Sequence, residues 1–260
     1  MRSEWLLLVG ALGCNGGDTS SADAGVDVTY YTGGDGGVYA WNDAAGECQP
    51  LSTDGFTAKT ITPVVNHVCT DAQVTGYVTQ CLDPSLPDDT ACLAWKAVAE
   101  NAACVAACPV VTDVSATSWG SFVRVGSPGT LTFNDLGACV ALMDPSQVGQ
   151  ACAAAIDAQL QCENAACVTQ CAIETPDSGA DAAAIYNDEL ALVYCTYAAD
   201  SAECASQVKA VTDCAPNVAA SARFCVDGTL SSGDPATANP AHEQLIGAQC
   251  GGAPADAGTD

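Results

Sequence analysis

The sequence predicts a mainly α-helical protein with small β-hairpins, in which duplicated helical units are stapled by disulfides. Three observations support this prediction: 17 cysteines in 260 residues, cysteine pairs spaced four residues apart, and a nine-residue segment that recurs 63 residues later. Residues four apart lie on one face of a helix, so the cysteine spacing itself indicates helices. Cysteines at this density are rare in a reducing cytosol, and we therefore expect an oxidising compartment.

The charge of the chain excludes one class of partner. There are 31 acidic and 6 basic side chains, which give a formal net charge of −25. Such a surface repels phosphate backbones, so we expect no nucleic-acid partner. The aromatic residues number only 15 (4 Trp, 7 Tyr and 4 Phe). The core is therefore short of bulky side chains, which makes covalent bridges important for stability.

The folded region is expected over residues 28–250, and its first unit, about 28–109, begins with a β-hairpin. Apolar and polar residues alternate on either side of a glycine-rich turn at 33–37, which is typical of a hairpin. A helix is predicted over 90–108, with Asp89 as its N-cap and Pro109 at its end. The helix residues expected to form one buried stripe are Cys92, Trp95, Val98, Ala99 and Ala102.

The second unit, about 110–174, repeats this order of elements. A hairpin is predicted over 119–134, with its turn at 126–129. Asp144 followed by Pro145 is typical of an N-cap and a first-turn proline, so a helix is predicted from there to Ile173.

The third unit, about 175–250, is predicted to contain three helices. The first covers 181–197. Asp200 and Glu203 have the spacing of a capping box for a second helix, which ends near Cys214. Asn239 and Pro240 are predicted to open a last helix, which ends at Gln249. The small, polar residues 251–260 are expected to be a disordered tail.

An internal repeat suggests that two of these units are duplicates. Residues 100–108 read ENAACVAAC and residues 163–171 read ENAACVTQC, which gives seven identities in nine positions. A looser third copy runs from Cys195 to Cys225. A period near 60 favours duplicated helical units over a regular solenoid, whose repeats are shorter. The alternative is Ala-rich low complexity with coincident cysteines.

Sixteen cysteines remain when Cys14 is set aside, an even number that permits eight disulfides. We expect the pair Cys104 and Cys108 to bridge outward to another element, and likewise the pair Cys167 and Cys171, because neighbours on one helical face cannot bridge to each other. The cysteines assigned to disulfides, with the pairing left open, are Cys48, Cys69, Cys81, Cys92, Cys104, Cys108, Cys139, Cys152, Cys162, Cys167, Cys171, Cys195, Cys204, Cys214, Cys225 and Cys250.

Two further cysteine patterns bear on metal binding and on helix geometry. No C-x-x-C occurs and there are only two histidines, so the usual zinc patterns are missing and we predict neither a metal site nor a cofactor. The C-x9-C spacing occurs at Cys152 with Cys162 and again at Cys204 with Cys214. This spacing is similar to that of helical-hairpin proteins stapled by two bridges, and the similarity extends to geometry alone.

Catalytic motifs are weak throughout the chain. His242 and Glu243 begin an H-E-x-x-H pattern, but Ile246 stands where the second histidine is needed. No G-x-S-x-G elbow or phosphate-binding loop is present. We therefore expect a non-catalytic structural or recognition role. One alternative is a secreted hydrolase with an unrecognised site, for which His67 is the candidate base.

Acidic clusters supply a second alternative, a calcium-dependent adhesion or binding module. Carboxylates are the ligands that Ca²⁺ prefers, although the EF-hand spacing is missing. The two candidate clusters are Asp35, Asp43 and Glu47, and Asp83, Asp88 and Asp89.

The first 13 residues, MRSEWLLLVGALG, have the layout of a signal peptide. Their apolar stretch from Trp5 to Leu12 is far below the roughly 20 residues that a membrane-spanning helix needs. Residues 14–27 are small and polar and are expected to form a flexible tether.

The end of this segment, Ala11-Leu12-Gly13-Cys14, resembles the lipobox of bacterial lipoproteins, with Ala11 where leucine is commonest. The resemblance implies that Cys14 becomes the first residue and carries the lipid, so the membrane is a partner through that anchor. Asn15 is not the aspartate that similar proteins use for inner-membrane retention. We therefore expect an exported protein at the outer membrane or cell surface, with an unknown protein or glycan partner; the alternative is a soluble secreted or periplasmic protein.

Overall fold

The computed structural model describes residues 28–32, 38–42, 48–83, 85–86, 90–108, 111–125, 131–173 and 182–252. The predicted signal peptide, Cys14 and its tether lie outside these residues. So do both hairpin turns, the predicted N-cap Asp89, and all of the predicted tail beyond Gly252.

Helices make up most of the described structure, as predicted. The α-helices are α1 (Asp71–Tyr77), α2 (Thr90–Lys96), α3 (Ala102–Ala107), α4 (Leu136–Met143), α5 (Gln147–Cys167), α6 (Ala182–Ser201), α7 (Ala205–Cys214) and α8 (Pro235–Cys250). A π-helical turn follows α1 at Val78–Leu82. Shorter 3₁₀ segments lie at Ala99–Asn101, Ala215–Asn217, Ala220–Cys225 and Thr229–Ser231. None of the helices in the described ranges is long and apolar enough to cross a membrane.

The strands are short and form three small sheets. They are β1 (Val28–Thr32), β2 (Val38–Asn42), β3 (Thr62–Pro63), β4 (Val111–Asp113), β5 (Ser118–Trp119), β6 (Phe122–Val125) and β7 (Leu131–Asn134). Both predicted hairpins are confirmed, because β1 pairs antiparallel with β2 and β6 pairs antiparallel with β7. Two parallel pairings, β3 with β5 and β4 with β6, join segments that the sequence pattern did not connect.

The helix predicted over 90–108 is wrong in its middle. It ends at Lys96 and restarts at Ala99, with Val98 in extended backbone at φ −70° and ψ 126°. The amide of Asn101 donates from Nδ2 to the carbonyl oxygen of Trp95 at 2.9 Å and so takes the place of the next helical donor. The predicted buried stripe is therefore also wrong: Cys92 is buried, but Val98 is 44% exposed.

The predicted start of the helix at Asp144 is wrong as well. Asp144 ends α4, and Ser146 is the N-cap of α5, where its side chain accepts from the backbone N–H of Gly149. Proline disfavours helical backbone at the residue before it, and Asp144, which precedes Pro145, accordingly has ψ 84°. Helix α5 then ends at Cys167, before the predicted Ile173.

Two predicted helix starts in the third unit are corrected. Helix α6 continues through Ser201, so Asp200 cannot cap α7, and Glu203 instead accepts the backbone N–H of Thr53 at 3.2 Å. Helix α8 begins at Pro235 with Asp234 as its N-cap, and Pro240 lies inside it. The Asp234 carboxylate accepts from the N–H of Ala236. It thereby satisfies one of the backbone N–H groups that are free at the start of the helix, a role predicted for Asn239.

The sixteen cysteines of the described ranges are joined in eight disulfides. The pairs are Cys48 with Cys171, Cys69 with Cys104, Cys81 with Cys92, Cys108 with Cys250, Cys139 with Cys225, Cys152 with Cys214, Cys162 with Cys204, and Cys167 with Cys195. A chain with this many disulfides belongs to an oxidising or extracellular compartment.

Both pairs of cysteines spaced four apart bridge to separate elements. Cys104 reaches Cys69 before α1, whereas Cys108 reaches Cys250 at the end of α8. The C-x9-C cysteines join α5 to α7 through two bridges, so the helices run antiparallel and are stapled at both ends of α7. Six of the eight bridges connect the predicted units 28–109, 110–174 and 175–250 to one another.

The two copies of the repeated segment fold differently. Residues 100–108 form the end of a 3₁₀ turn and then α3, whereas residues 163–171 form the end of α5 and a turn. Their cysteines also bridge to non-equivalent partners. One local likeness is that Asp83 and Asp144 each accept the backbone N–H of the serine two residues later. The duplication stays a prediction.

Candidate functional site

An apolar groove of about 230 Å³ lies where α1, α2, α3 and α8 meet, above a core cluster that contains Val74, Val78 and Ile246. The residues that line it are Cys69, Val74, Tyr77, Trp95, Lys96, Cys104, Val105, Cys108, Val111 and Ile246. The three cysteines of this lining are all in disulfides. The walls of the groove are therefore held by two covalent bridges as well as by packing.

Trp95 is the largest side chain of the groove, and a glycine positions it. A Cβ on Gly76 of α1 would lie 2.6 Å from the indole Nε1, so only glycine lets the indole approach α1 this closely. The ring of Tyr77 meets the indole edge-on, with centroids 5.5 Å apart and planes at 64°. This is a favourable arrangement for two aromatic rings.

Lys96 and Tyr77 decide the charge of the groove. The Lys96 Nζ lies 6.0 Å from the centroid of the Tyr77 ring, within the range of a cation–π contact. Burial raises the pKa of Tyr77 to about 12, so its phenol is neutral at physiological pH. The groove thus offers two aromatic faces, aliphatic walls and one cation.

Four large apolar side chains on the segments around the groove are exposed. The exposed fractions are 57% for Leu93, 44% for Val98, 38% for Val105 and 45% for Val111. These residues lie on α2, on the segment between α2 and α3, on α3 and on β4. Val105 and Val111 also line the groove, and we call these two residues the apolar rim. Exposed apolar side chains at a groove are typical of interaction and ligand-binding surfaces.

A second depression, of about 400 Å³, lies where α5 begins and α7 ends. Gln147, Val148, Ala151, Asp213, Cys214 and Asn217 line it. It contains no aromatic side chain, so it offers fewer contacts that could fix a ligand.

The two histidines lie apart from the groove lining. His67 is exposed and its Nδ1 lies 2.6 Å from the carbonyl oxygen of Gly251. His242 is buried on α8, with its Nε2 3.2 Å from Oδ1 of Asn134, and burial lowers its pKa to about 4. In these contacts neither ring meets a hydroxyl that it could activate as a nucleophile. Ile246, at the position a second zinc-binding histidine would need, packs in the core.

The calcium candidates fall almost entirely outside the described residues. Asp83 is the exception, and its carboxylate already accepts from Ser85 N, Ser85 Oγ and Asn239 Nδ2 at 2.8, 2.6 and 2.9 Å. The hydrogen bonds from Ser85 hold the pKa of Asp83 below its usual range. The sulfurs of Cys48, Cys171 and Cys195 lie within 4.8 Å of one another, but all three are in disulfides and supply no thiolate.

Two pairs of carboxyl groups, of which Asp135, Asp157 and Glu163 are buried and Asp200 is half-buried, were not predicted. Asp135, the N-cap of α4, faces Asp157 of α5, and Glu163 of α5 faces Asp200 of α6. Gln159 Nε2 donates to Glu163 Oε1 at 2.7 Å and lies 3.3 Å from Asp200 Oδ1. Burial, and then the neighbouring acid, raises the pKa of both Asp135 and Glu163 well above the usual range.

The sequence carried weak signals for the groove around Trp95 and for the buried Asp157. Leu93 and Trp95 are two residues apart, and such residues do not share a helical face, so one of them had to leave the core. Ala153, Asp157 and Gln161 follow one another at helical spacing of four, and all three are buried. That spacing places Asp157 on the buried face of α5.

Comparisons with known proteins give no relative: the chain matches no protein-family model, no curated protein and no solved structure.

Proposed function

We propose that this protein is a lipid-anchored cell-envelope protein with a non-catalytic recognition role, which it performs through the groove around Trp95. The observation that carries the proposal is the aromatic groove together with its apolar rim, set on a scaffold that disulfides hold rigid. The binding surface is preformed, so a partner need not order it. A partner of matching chemistry presents an apolar or aromatic group, on a protein or on the ring face of a glycan.

The lipid anchor is supported by the sequence around Cys14 and by cysteine parity. Every cysteine in the described residues is paired with another, in eight bridges. Cys14 is the seventeenth and has no cysteine left with which to pair inside the chain. Acylation of Cys14 would explain why the number of cysteines is odd. Stable anchoring needs more than one acyl chain, which the lipobox resemblance supplies.

Cell fractionation tests the anchor. The full-length protein is expected in the outer-membrane fraction, and Cys14→Ser should move it to the soluble or unprocessed pool because the acylated side chain is lost. Asn15→Asp is the matched variant: it keeps the acylation site and is expected to shift the protein to the inner membrane. Wild-type and Cys14→Ser proteins that fractionate alike would refute the anchor.

Site-specific photo-crosslinking in intact cells tests the groove. A photoreactive residue at Val105, which is 38% exposed on the rim, is expected to give one discrete adduct. The same residue at Val148, which is 49% exposed beside the other depression, is the matched control and should give none. Gly76→Leu should abolish the Val105 adduct, because its side chain displaces Trp95. Equal crosslinking at Val105 and Val148 would contradict a recognition role for the groove.

A further inference from the structure

We propose that Asp135 and Asp157 bind one proton between them, and that this shared proton is a latch that holds α4 against α5 in acid and releases as the pH rises. The pair lies outside the groove and does not depend on its proposed role. We call these two residues the carboxyl latch.

The geometry of the carboxyl latch leaves two buried oxygens without partners. Asp135 is 1% exposed, and its Oδ1 accepts the backbone N–H of Ala138 at 2.8 Å. Asp157 is 6% exposed and lies against Gly137, where a Cβ would clash with the carboxylate. Asp135 Oδ2 and Asp157 Oδ1 are both buried and have no hydrogen-bond partner. A buried, unpaired carboxylate oxygen is costly, so a ligand for these two oxygens is required.

A proton on one of the two carboxyls supplies the pair with a hydroxyl donor and removes one of two like charges from a medium of low dielectric constant, with no further group needed. A calcium ion would need six to eight oxygen ligands, which two carboxylates cannot supply. The close contact of Asp157 with Gly137 also leaves no space for a hydrated ion at that oxygen.

The surrounding charges do not neutralise the pair. The other titratable or charged side chains described on α4, α5 and the segments packed against them are Lys59, Asp144, Glu163, Asp188, Glu189, Tyr194, Tyr197, Asp200, Lys209, Asp213, Arg223, His242 and Glu243. The three lysine and arginine side chains of that set have other partners: Lys59 donates to the carbonyl oxygen of Ser115 at 3.4 Å, Lys209 pairs with Asp213, and Arg223 donates to the carbonyl oxygen of Pro216. The charge that acts on Asp135 is that of Asp157.

The direction of the pH effect follows from the titration of the pair. Burial raises the pKa of Asp157 to about 7, far above the value of 3.8 for an exposed aspartate. Between these two values the folded protein holds a proton that the unfolded chain has lost. The latch therefore contributes most to stability at low pH, and its contribution is lost as the pH rises toward neutrality.

Denaturant unfolding of the disulfide-intact, full chain at about pH 5 and about pH 8 tests the proposal. The unfolding equilibrium constant of the wild type is expected to rise by roughly tenfold or more over this range relative to that of Asp157→Asn. Asparagine has the shape of the protonated carboxyl and carries no charge at either pH. Asp54→Asn is the control, since Asp54 is exposed and its loss should leave the wild-type pH dependence in place.

Titration of the wild-type protein followed by ¹³C NMR of the aspartate carboxyls keeps the test independent of any variant. One carboxyl of the latch is expected to stay protonated until near neutral pH. Titration of both below about pH 5, with no difference in pH dependence between wild type and Asp157→Asn, would overturn the proposal. A calcium-induced gain in stability at about pH 8 that Asp157→Asn abolishes would also overturn it, since the pair would then be a cation site.

Discussion

Gly137 and Asp157 touch where α4 packs against α5, and no side chain larger than hydrogen fits at Gly137. The Asp157 carboxylate occupies the space that a Cβ would need. The sequence IDAQL at 156–160 shows a charged residue in an Ala-rich helix and nothing of this contact, which exists only after α4 and α5 pack. Packing at single residues therefore decides how close these two helices come.

Gly137→Ala is expected to destabilise the protein by about 1 to 3 kcal/mol, because the new methyl group overlaps the carboxylate of Asp157. In an Asp157→Ala background the same substitution should cost less, since the carboxylate is gone and only the 3.0 Å approach to the carbonyl oxygen of Ala153 remains. Chemical unfolding of the four proteins measures this coupling. Gly247→Ala is the control: nothing lies within 4 Å of its Cβ in α8, so it should be neutral or stabilise by up to about 1 kcal/mol. Equal costs of Gly137→Ala in both backgrounds would contradict the contact.

His242 gives a second prediction at this scale, opposite in sign to the carboxyl latch. Burial lowers its pKa to about 4 from an ordinary value of 6.5. Below pH 6.5 the unfolded chain gains a proton that the folded protein excludes, so stability falls as the pH drops from 6.5 to 4, by roughly 3 kcal/mol in all. His242→Gln should lose this part of the pH dependence, which unfolding at a series of pH values measures. The same slope in both proteins would show that His242 titrates normally in the folded state.

Helices α5 and α7 are joined by two disulfides. Cys152 joins Cys214 across 62 residues of sequence, and Cys162 joins Cys204 across 42. The inner bridge, Cys162 with Cys204, lies within the loop that the outer bridge, Cys152 with Cys214, closes. The outer bridge therefore closes an effective loop of only about 20 residues. The two bridges therefore constrain one unfolded loop between them.

Replacement of Cys152 and Cys214 by serine is expected to destabilise the protein by about 3 kcal/mol, as for a loop of that effective size. Replacement of all four cysteines should cost at least the sum of the two single-bridge losses, because each bridge alone still closes the loop. Denaturant unfolding with the other six disulfides intact measures these values. A loss near zero for the outer bridge would show that packing alone aligns α5 with α7.

Sequence spacing predicted the elements whose signals are local and missed those that tertiary contacts set. The two hairpins and the outward bridging of Cys104 and Cys108 follow from alternation and helical period. The break at Val98 does not, because it depends on the Asn101 side chain capping the Trp95 carbonyl. The parallel pairing of β4 with β6 was also missed, because nothing in the sequences of the two strands indicates that they pair.

The candidate site shows the same division. Trp95 was predicted as part of a buried stripe, yet it lines a groove, because the helix ends one residue later and Gly76 makes room on α1. The latch was missed because an aspartate at a buried helical position is indistinguishable, in one sequence, from one on a solvated face. Only the folded structure shows that Asp157 is buried against Gly137 of α4.

At the scale of the whole molecule, different carboxyl groups lose their contribution to stability at low pH and at high pH. Hydrogen bonds hold the pKa of Asp83, Asp113 and Asp144 below the usual range, so their contribution is lost as the pH falls through their folded pKa values. The latch and the pair of Glu163 with Asp200 lose their contribution as the pH rises instead. We expect maximum stability in mildly acidic solution, measurable as the highest thermal midpoint in a pH series. A maximum above neutral pH would contradict this balance.

We propose that Cys14 anchors the protein to the membrane and that the other sixteen cysteines lock its fold. Intact mass of the protein extracted from membranes, alkylated before and after reduction, tests both parts together. We predict a chain that begins at Cys14 and carries acyl chains, no alkylation before reduction, and sixteen alkylated thiols after it. Free thiols before reduction, or seventeen after it, would contradict the claim.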